Sequence, residues 1–187
     1  MIIMEPFTKK IAVFAGSECD GPKKEYYLAL ARRTGALLAQ SGFVAMTGAG
    51  SAGLMNETLR GAHESGGKTM GIGLNIKGRT QSTFAHSIDI YDKLGLRQDQ
   101  LIQLGDAYIA LPGGIGTLYE IANIIALKRI DEMPTDKPLI LIDEYYDMIR
   151  PLIRTMMAEG FARDLDACYT IVKTPEEAIY LLKKYFL

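Results

Sequence analysis

Short apolar runs alternate with longer segments of helical periodicity along the chain, and glycine or proline separates many of them. Most of the runs are rich in β-branched or aromatic residues and predict strands, over residues 10–15, 43–47, 69–73, 87–91, 107–111, 138–142 and 169–172. The periodic segments predict helices over residues 22–41, 53–65, 96–104, 115–130, 145–159 and 175–186. Residues 74–87 are polar and predict a loop.

This alternation predicts the fold class. Strands that alternate with helices form βαβ units, so we expect an α/β protein with a Rossmann-like, mainly parallel sheet that helices cover on both faces. The continuous apolar character of residues 107–111 and 138–142 is typical of strands buried on both faces. We expect one nucleotide-binding domain over residues 1–187, with its ligand at the carboxyl ends of the strands.

Composition and charge narrow the class of partner. The net charge of -1 gives no bulk attraction to nucleic acid or to an anionic membrane. Cys19 and Cys168 lie far apart in the sequence without metal-like spacing, so we expect neither a disulfide nor a zinc site. Residues 1–8 lack the basic and long apolar regions of a signal peptide, and no apolar run approaches the ~20 residues that span a bilayer. We expect a cytoplasmic protein.

Glycine-rich turns follow three of the predicted strands. Gly16 and Ser17 follow the first strand and are candidate binding residues, and residues 48–53 follow the second with the pattern G-x-G-x-x-G. That pattern alone is weak evidence for a dinucleotide site. The dinucleotide-binding fingerprint also requires an acidic residue near the end of the next strand, and residues 71–75 contain none. Two interpretations stay open for this second turn, close strand–helix packing or a share in a ligand pocket, and the candidates there are Gly48, Gly50 and Gly53.

The third turn carries the clearest chemistry. It follows the strand at 107–111 and opens the helix at 115–130, and its candidate binding residues are Pro112, Gly113, Gly114, Ile115, Gly116 and Thr117. Bare backbone amides at a helix N-terminus suit a phosphate group. Glu120 follows one turn later, where its carboxylate either stands beside a phosphate-anchored sugar or only favours the helix dipole.

In residues 112–120, which read PGGIGTLYE, the chain resembles the Lonely Guy family and its motif PGGxGTxxE. The resemblance also includes VFAGS at residues 13–17, GAGSAGLM at 48–55 and the stretch 105–111. Members of that family are cytokinin riboside 5'-monophosphate phosphoribohydrolases, which release a free base and ribose 5-phosphate, and they were long labelled lysine decarboxylases. The resemblance implies a homodimer with Arg97 and Glu120 as the catalytic residues.

The chain departs from the family's pattern on the side that recognises the base. Leu96-Arg97-Gln98 stands where the family usually has Glu-Arg-Lys, and we assign Gln98 to substrate binding. Tyr119 replaces a frequent second glutamate, and residues 74–90 lack an expected base-contacting glutamate. These departures leave the identity of the base undetermined, while the phosphate loop and the catalytic pair match the family.

Hydrolysis of an N-glycosidic bond needs neither metal nor cofactor here, since a carboxylate can stabilise the oxocarbenium-like state and position water. His63 and His86 are isolated in the sequence, and we interpret both as structural or surface residues. No sequence motif indicates a lysine that could form the Schiff base that a decarboxylase would need.

The alternative function is a carrier that binds its ligand without turnover, because the molybdenum cofactor carrier proteins also resemble this chain. A single-stranded DNA binder of the DNA-processing type is disfavoured by the net charge.

The sequence of the helix at 115–130 gives an independent reason to expect a dimer. Its apolar residues wrap nearly all the way round it, and they are Leu118, Ile121, Ala122, Ile124, Ile125, Ala126 and Leu127. A helix that is apolar all round is buried on more than one side, and the sheet covers only one. The second side packs either on a neighbouring helix of the same chain or on a second copy.

Overall fold

A computed structural model describes residues 9–186, so the segment 1–8, in which we expect no signal peptide, lies outside the described residues. Within residues 9–186 the seven strands are Lys10–Phe14 (β1), Val44–Thr47 (β2), Thr69–Leu74 (β3), Ser87–Tyr91 (β4), Ala107–Ala110 (β5), Leu139–Ile142 (β6) and Thr170–Val172 (β7). The α-helices are Lys24–Gln40 (α1), Gly53–Glu64 (α2), Leu94–Leu104 (α3), Ile115–Arg129 (α4), Ile149–Ala158 (α5) and Pro175–Phe186 (α6). These elements confirm the predicted α/β class.

All seven strands form one parallel sheet in the order β4-β3-β2-β1-β5-β6-β7. The chain runs outward from β1 to β4, then crosses back and runs outward from β5 to β7. The strand order therefore reverses between β1 and β5, where Phe14 pairs with Ala110. Ligands of open α/β sheets bind in the crevice at such a switch point, and the turns that follow β1 and β5 flank it.

Each face of the sheet packs on its own set of helices, which explains why the central strands are apolar throughout. Ile11 and Val13 of β1 belong to the core on the side of α1, α2 and α6, whereas Ala12 and Phe14 belong to the core on the side of α3, α4 and α5. Because consecutive strand residues point to opposite faces, a strand covered on both sides needs apolar residues at every position.

The predicted helix over residues 145–159 is wrong in its first turn. A 3₁₀ turn, Glu144–Met148, precedes α5. Pro151 gives the physical reason, since it has no N–H to bond the carbonyl of residue 147 and its ring crowds that carbonyl. A second 3₁₀ turn, Leu165–Cys168, has no counterpart among the predicted elements. Among the described helices, none has the length and apolar character needed to cross a bilayer.

Candidate functional site

A cavity of about 830 Å³ opens at the carboxyl edge of the sheet, beside the switch point. The turns after β1, β2 and β5 form its walls together with the segment that follows β3. Ten of the residues expected from the sequence line it: Gly16, Ser17, Gly48, Gly50, Arg97, Gly114, Ile115, Gly116, Thr117 and Glu120. The folded chain thus brings together residues that lie as much as 104 positions apart, from Gly16 to Glu120.

The turn after β5 presents a bare helix N-terminus to the cavity. Gly114 is the N-cap of α4, and the first helical bond runs from Leu118 N to Gly114 O at 3.1 Å. The amide groups of residues 115–117 therefore have no acceptor among the described residues. A side chain at Gly113 would overlap the Thr117 hydroxyl, so this turn requires glycine at that position. Unpaired amides and the positive end of the helix dipole favour an anion here.

Arg97 and Glu120 form a buried ion pair in the wall of the cavity. Arg97 Nη1 donates to Glu120 Oε1 at 2.6 Å, and Arg97 Nε donates to the carbonyl of Ile72 at 3.0 Å. The two residues are only 8% and 6% exposed. Glu120 Oε2 has no hydrogen-bond partner within the described part of the chain, which leaves it for a ligand or a water molecule.

Burial and the ion pair act on the Glu120 carboxyl in opposite directions. Burial raises its pKa above the usual range, because desolvation disfavours the charged form, and Arg97 partly opposes this by charge and by its hydrogen bond. Raised carboxyl pKa values beside a specific charge partner are a feature of functional sites.

In the turn after β2, one glycine allows close packing and others line the cavity. Gly53 has a φ of +64°, and a side chain there would lie 2.5 Å from the backbone carbon of Ser17, so it allows close packing. The N–H of Leu54 donates to Gly16 O at 2.8 Å, which directs the N-terminus of α2 at the protein rather than at a ligand. Gly48 lines the cavity, and its missing side chain makes room for the Arg97 guanidinium.

Four expected site residues do not line the cavity: Gly53, Gln98, Pro112 and Gly113. Pro112 is buried, and its carbonyl accepts from Gly16 N at 3.2 Å, which joins the turns after β1 and β5. Gln98 is fully buried, and neither atom of its amide has a partner among the described residues. The structure therefore gives Gln98 no direct route to a ligand in this cavity.

The segment after β3 was predicted only as a polar loop, yet it forms one wall of the cavity. Its lining residues are Leu74, Ile76, Gly78, Arg79, Thr80 and Gln81. Ser82 N donates to Ala49 O at 2.8 Å, and the Ser51 and Thr80 hydroxyls lie 2.6 Å apart, so the segment is tied to the turn after β2. Arg79 also pairs with Glu18 at 3.7 Å across exposed side chains.

The two histidines are not isolated in the folded chain, which corrects the sequence-based description of them. Their rings stack with centroids 4.9 Å apart, and His86 Nδ1 accepts from Thr69 N at 3.2 Å. Both are exposed and neither lines the cavity, so a structural or surface role still fits them. Within residues 9–186, no group of three or more metal-ligating side chains is present.

Lys128 is the one buried lysine among the described residues, and its contacts are structural. Its Nζ donates to the carbonyls of Thr135, Lys137 and Cys168, and burial lowers its pKa to about 8. No lysine lines the 830 Å³ cavity within the described part of the chain. The site therefore has no amine in place for a Schiff base.

A family model and the curated relatives both match most of this chain. The family model described as "Possible lysine decarboxylase" matches residues 55–182. A probable cytokinin riboside 5'-monophosphate phosphoribohydrolase of Oryza sativa subsp. japonica is 30% identical over 99% of this chain and 76% of its own length. A cytokinin riboside 5'-monophosphate phosphoribohydrolase of Arabidopsis thaliana is 31% identical over 87% of this chain and 72% of its own length.

A solved structure with the same fold is the molybdenum cofactor binding protein from the phototrophic bacterium Rippkaea orientalis. It superposes with a TM-score of 0.73 at 24% identity, over 96% of this chain and 98% of that chain. At this identity the similarity shows the fold alone.

Proposed function

We propose that this chain, which belongs to the Lonely Guy family within the group described as possible lysine decarboxylases, hydrolyses the N-glycosidic bond of a nucleoside 5'-monophosphate. Water adds to the anomeric carbon of the ribose, the bond to the base nitrogen breaks, and that nitrogen takes the electron pair and a proton. The products are the free base and ribose 5-phosphate. The observation that carries the proposal is the buried Arg97–Glu120 pair beside the unpaired amides of α4.

The phosphate occupies the N-terminus of α4 in this proposal. The amides of residues 115–117 and the helix dipole favour an anion, and Thr117 adds a hydroxyl in the same turn. Glu120 lies one turn further along the same helix, so a phosphate held at the first turn places the sugar near its carboxylate. Such fixed placement lowers the barrier through orientation.

Glu120 acts on the reacting carbon through charge. Positive charge develops on the sugar as the bond to the base breaks, and a carboxylate in a desolvated site stabilises that charge more strongly than one in water. Arg97 holds Oε1 and leaves Oε2 for the sugar or the attacking water. Arg97 is therefore a positioning residue for Glu120 in this proposal.

The base lies against the apolar part of the wall. Met55, Leu74, Ile76 and Leu94 line that part of the cavity, and its volume of about 830 Å³ is large enough for a nucleotide. No glutamate follows β3 to contact the base, so we leave the base unassigned and do not extend the relatives' cytokinin substrate to this chain.

The test is incubation of the purified protein with a panel of nucleoside 5'-monophosphates, including a prenylated AMP, with chromatographic detection of base and ribose 5-phosphate. Release of both products in equal amounts supports the proposal.

The second candidate function is a carrier of a phosphorylated cofactor, which is suggested by the shared fold of the Rippkaea orientalis protein. Binding in the same panel without any product would favour the carrier and contradict the hydrolase.

A further inference from the structure

Three consecutive carbonyl groups precede α4, and each one has a donor inside the protein. The Tyr146 hydroxyl donates to Leu111 O at 2.6 Å, Gly16 N donates to Pro112 O at 3.2 Å, and the Tyr145 hydroxyl donates to Gly113 O at 2.6 Å. A carbonyl oxygen turned toward the cavity would repel a phosphate. The turn after β5 is thus held with its carbonyls directed at protein donors.

The bond from Tyr145 also fixes the direction of an N–H group. In a planar trans peptide unit the C=O and the N–H point in opposite directions. The unit that carries Gly113 O carries the N–H of Gly114, so this N–H points away from Tyr145. Gly114 lines the cavity, Tyr145 does not, and Gly114 N has no acceptor among the described residues.

This peptide unit needs a restraint because both of its residues are glycines. Without Cβ atoms, Gly113 and Gly114 have access to conformations that other residues avoid, so the unit between them can rotate at little cost. A rotated unit would place Gly113 O where the N–H of Gly114 now lies. That rotation would replace an attractive contact with a phosphate by a repulsive one.

Tyr145 is itself held in place by residues from distant elements. Asp143 has an unusual φ of 92°, and its carboxylate accepts from Tyr145 N at 2.9 Å and from the Tyr26 hydroxyl at 2.5 Å. The Tyr145 ring packs edge-on against Tyr27 of α1, with centroids 6.2 Å apart. These contacts restrain the direction of its hydroxyl.

We propose that Tyr145 is a positioning residue that locks the Gly113–Gly114 peptide with its N–H facing the bound phosphate. The proposal rests on the proposed function, since it takes the turn after β5 as the phosphate site. Tyr145 lies outside the family motif and outside the cavity wall, and it acts only through the loop it restrains.

The test is the variant Tyr145→Phe, which removes the hydroxyl and keeps the ring, with ribose 5-phosphate as the probe in titration calorimetry. We expect the Kd for ribose 5-phosphate to rise about three- to tenfold, in line with the loss of one hydrogen bond and a less ordered loop. The thermal unfolding midpoint of each unliganded variant records damage to the fold separately.

The matched control is Tyr146→Phe, which removes a hydrogen bond of the same length to the carbonyl of Leu111, two residues before Gly113. The peptide unit after Leu111 ends in the nitrogen of Pro112 and has no N–H, so Tyr146 cannot orient a donor toward the phosphate. Because Tyr146 is buried, we expect Tyr146→Phe to lower the unfolding midpoint more than Tyr145→Phe does, yet to keep the affinity for ribose 5-phosphate within about twofold.

The outcomes separate this inference from the proposed function. If the wild-type protein does not bind ribose 5-phosphate, the phosphate site itself is wrong. If the wild type binds it and Tyr145→Phe binds it equally well, only the inference about Tyr145 is overturned. Equal weakening in both tyrosine variants would indicate general damage to the loop and would also overturn it.

Discussion

Glu120 is the residue on which the proposed chemistry depends, and its surroundings constrain what a substitution does. Glu120→Gln keeps the shape of the side chain and removes its charge, so we expect ligand affinity to change little and turnover to fall at least about 100-fold. The measurement is kcat and Kd for the same monophosphate. Glu132→Gln, an exposed glutamate beyond the end of α4, is the matched control. Unchanged turnover in Glu120→Gln would remove Glu120 from the mechanism.

The ionisation of Glu120 gives a second prediction at this scale. Burial raises its pKa, and the protonated form cannot stabilise positive charge, so activity rises as pH increases through that pKa. We expect the acid limb of the pH profile of kcat/KM to lie above the ordinary glutamate pKa of about 4.3. Arg97 lowers this pKa, so Arg97→Gln should move the limb to still higher pH. A limb that stays in place or moves to lower pH in Arg97→Gln would contradict the assignment.

The position of a single residue in the fold was predictable where a local motif determines it. It was not predictable where contacts with distant parts of the chain determine it. Glu120 and Thr117 follow from their positions after a strand, because a helix N-terminus orients its own first turns. Gln98 adjoins Arg97 in the sequence but faces a different environment, since neighbouring residues on a helix point in directions about 100° apart. Tyr145 gave no signal, because its contact with Gly113 joins residues 32 positions apart.

At the scale of elements, we propose that the segment after β3 contacts the base of the substrate, since it forms one wall of the cavity. Gln81 Oε1 is buried in the cavity wall and has no partner among the described residues, so a ligand donor there would satisfy it. A 6-amino group supplies such a donor at position 6, where a 6-oxo base presents an acceptor instead. We expect Gln81→Leu to lower the ratio of kcat/KM for AMP over IMP about three- to tenfold.

The control for Gln81 is Gln103→Leu, an exposed glutamine of α3 that does not line the cavity. Gln103→Leu should leave the AMP over IMP ratio unchanged. If Gln81→Leu also leaves that ratio unchanged, Gln81 does not contact the base.

Elements with a strong local pattern were predicted closely, and those shaped by long-range contacts were not. The buried strand β6 and the helix α4 lie within one residue or so of their predicted bounds, because continuous apolar runs and periodicity are local signals. Residues 74–87 carry no periodicity that shows which way the segment folds. Its contacts with Ala49 and Ser51, about 30 positions earlier in the chain, decide that.

At the scale of the whole molecule, the outer face of α4 supports the expected homodimer. One face of α4 packs on the sheet, and the opposite face leaves Ile115, Leu118, Tyr119, Ala122 and Ala126 exposed in the single chain, Ile115 by 82%. No neighbouring helix of the described chain covers this apolar stripe, and a second copy would bury it. This dimer is a proposal that supports no part of the mechanism above.

Light scattering at micromolar concentration tests the dimer. We expect the wild type at twice the mass of the chain and Ala122→Glu shifted toward the monomer, because the charge falls in the middle of the apolar stripe. Lys183→Glu places the same charge on an exposed position of α6 and should leave the mass unchanged. A wild-type monomer would contradict the homodimer.

At the same scale, the proposed mechanism depends on a phosphate that anchors the substrate at the switch point between β1 and β5 and so places the sugar beside Glu120. Several charge-assisted hydrogen bonds to one group dominate binding, and binding energy from a group remote from the reacting carbon also raises the rate of the chemical step. The most direct test is therefore kcat/KM of the wild-type protein for AMP and for adenosine, measured by release of adenine. We expect kcat/KM for AMP to be at least about 100-fold higher than for adenosine, with kcat as well as KM affected, and equal values for the two compounds would contradict the proposed phosphate site.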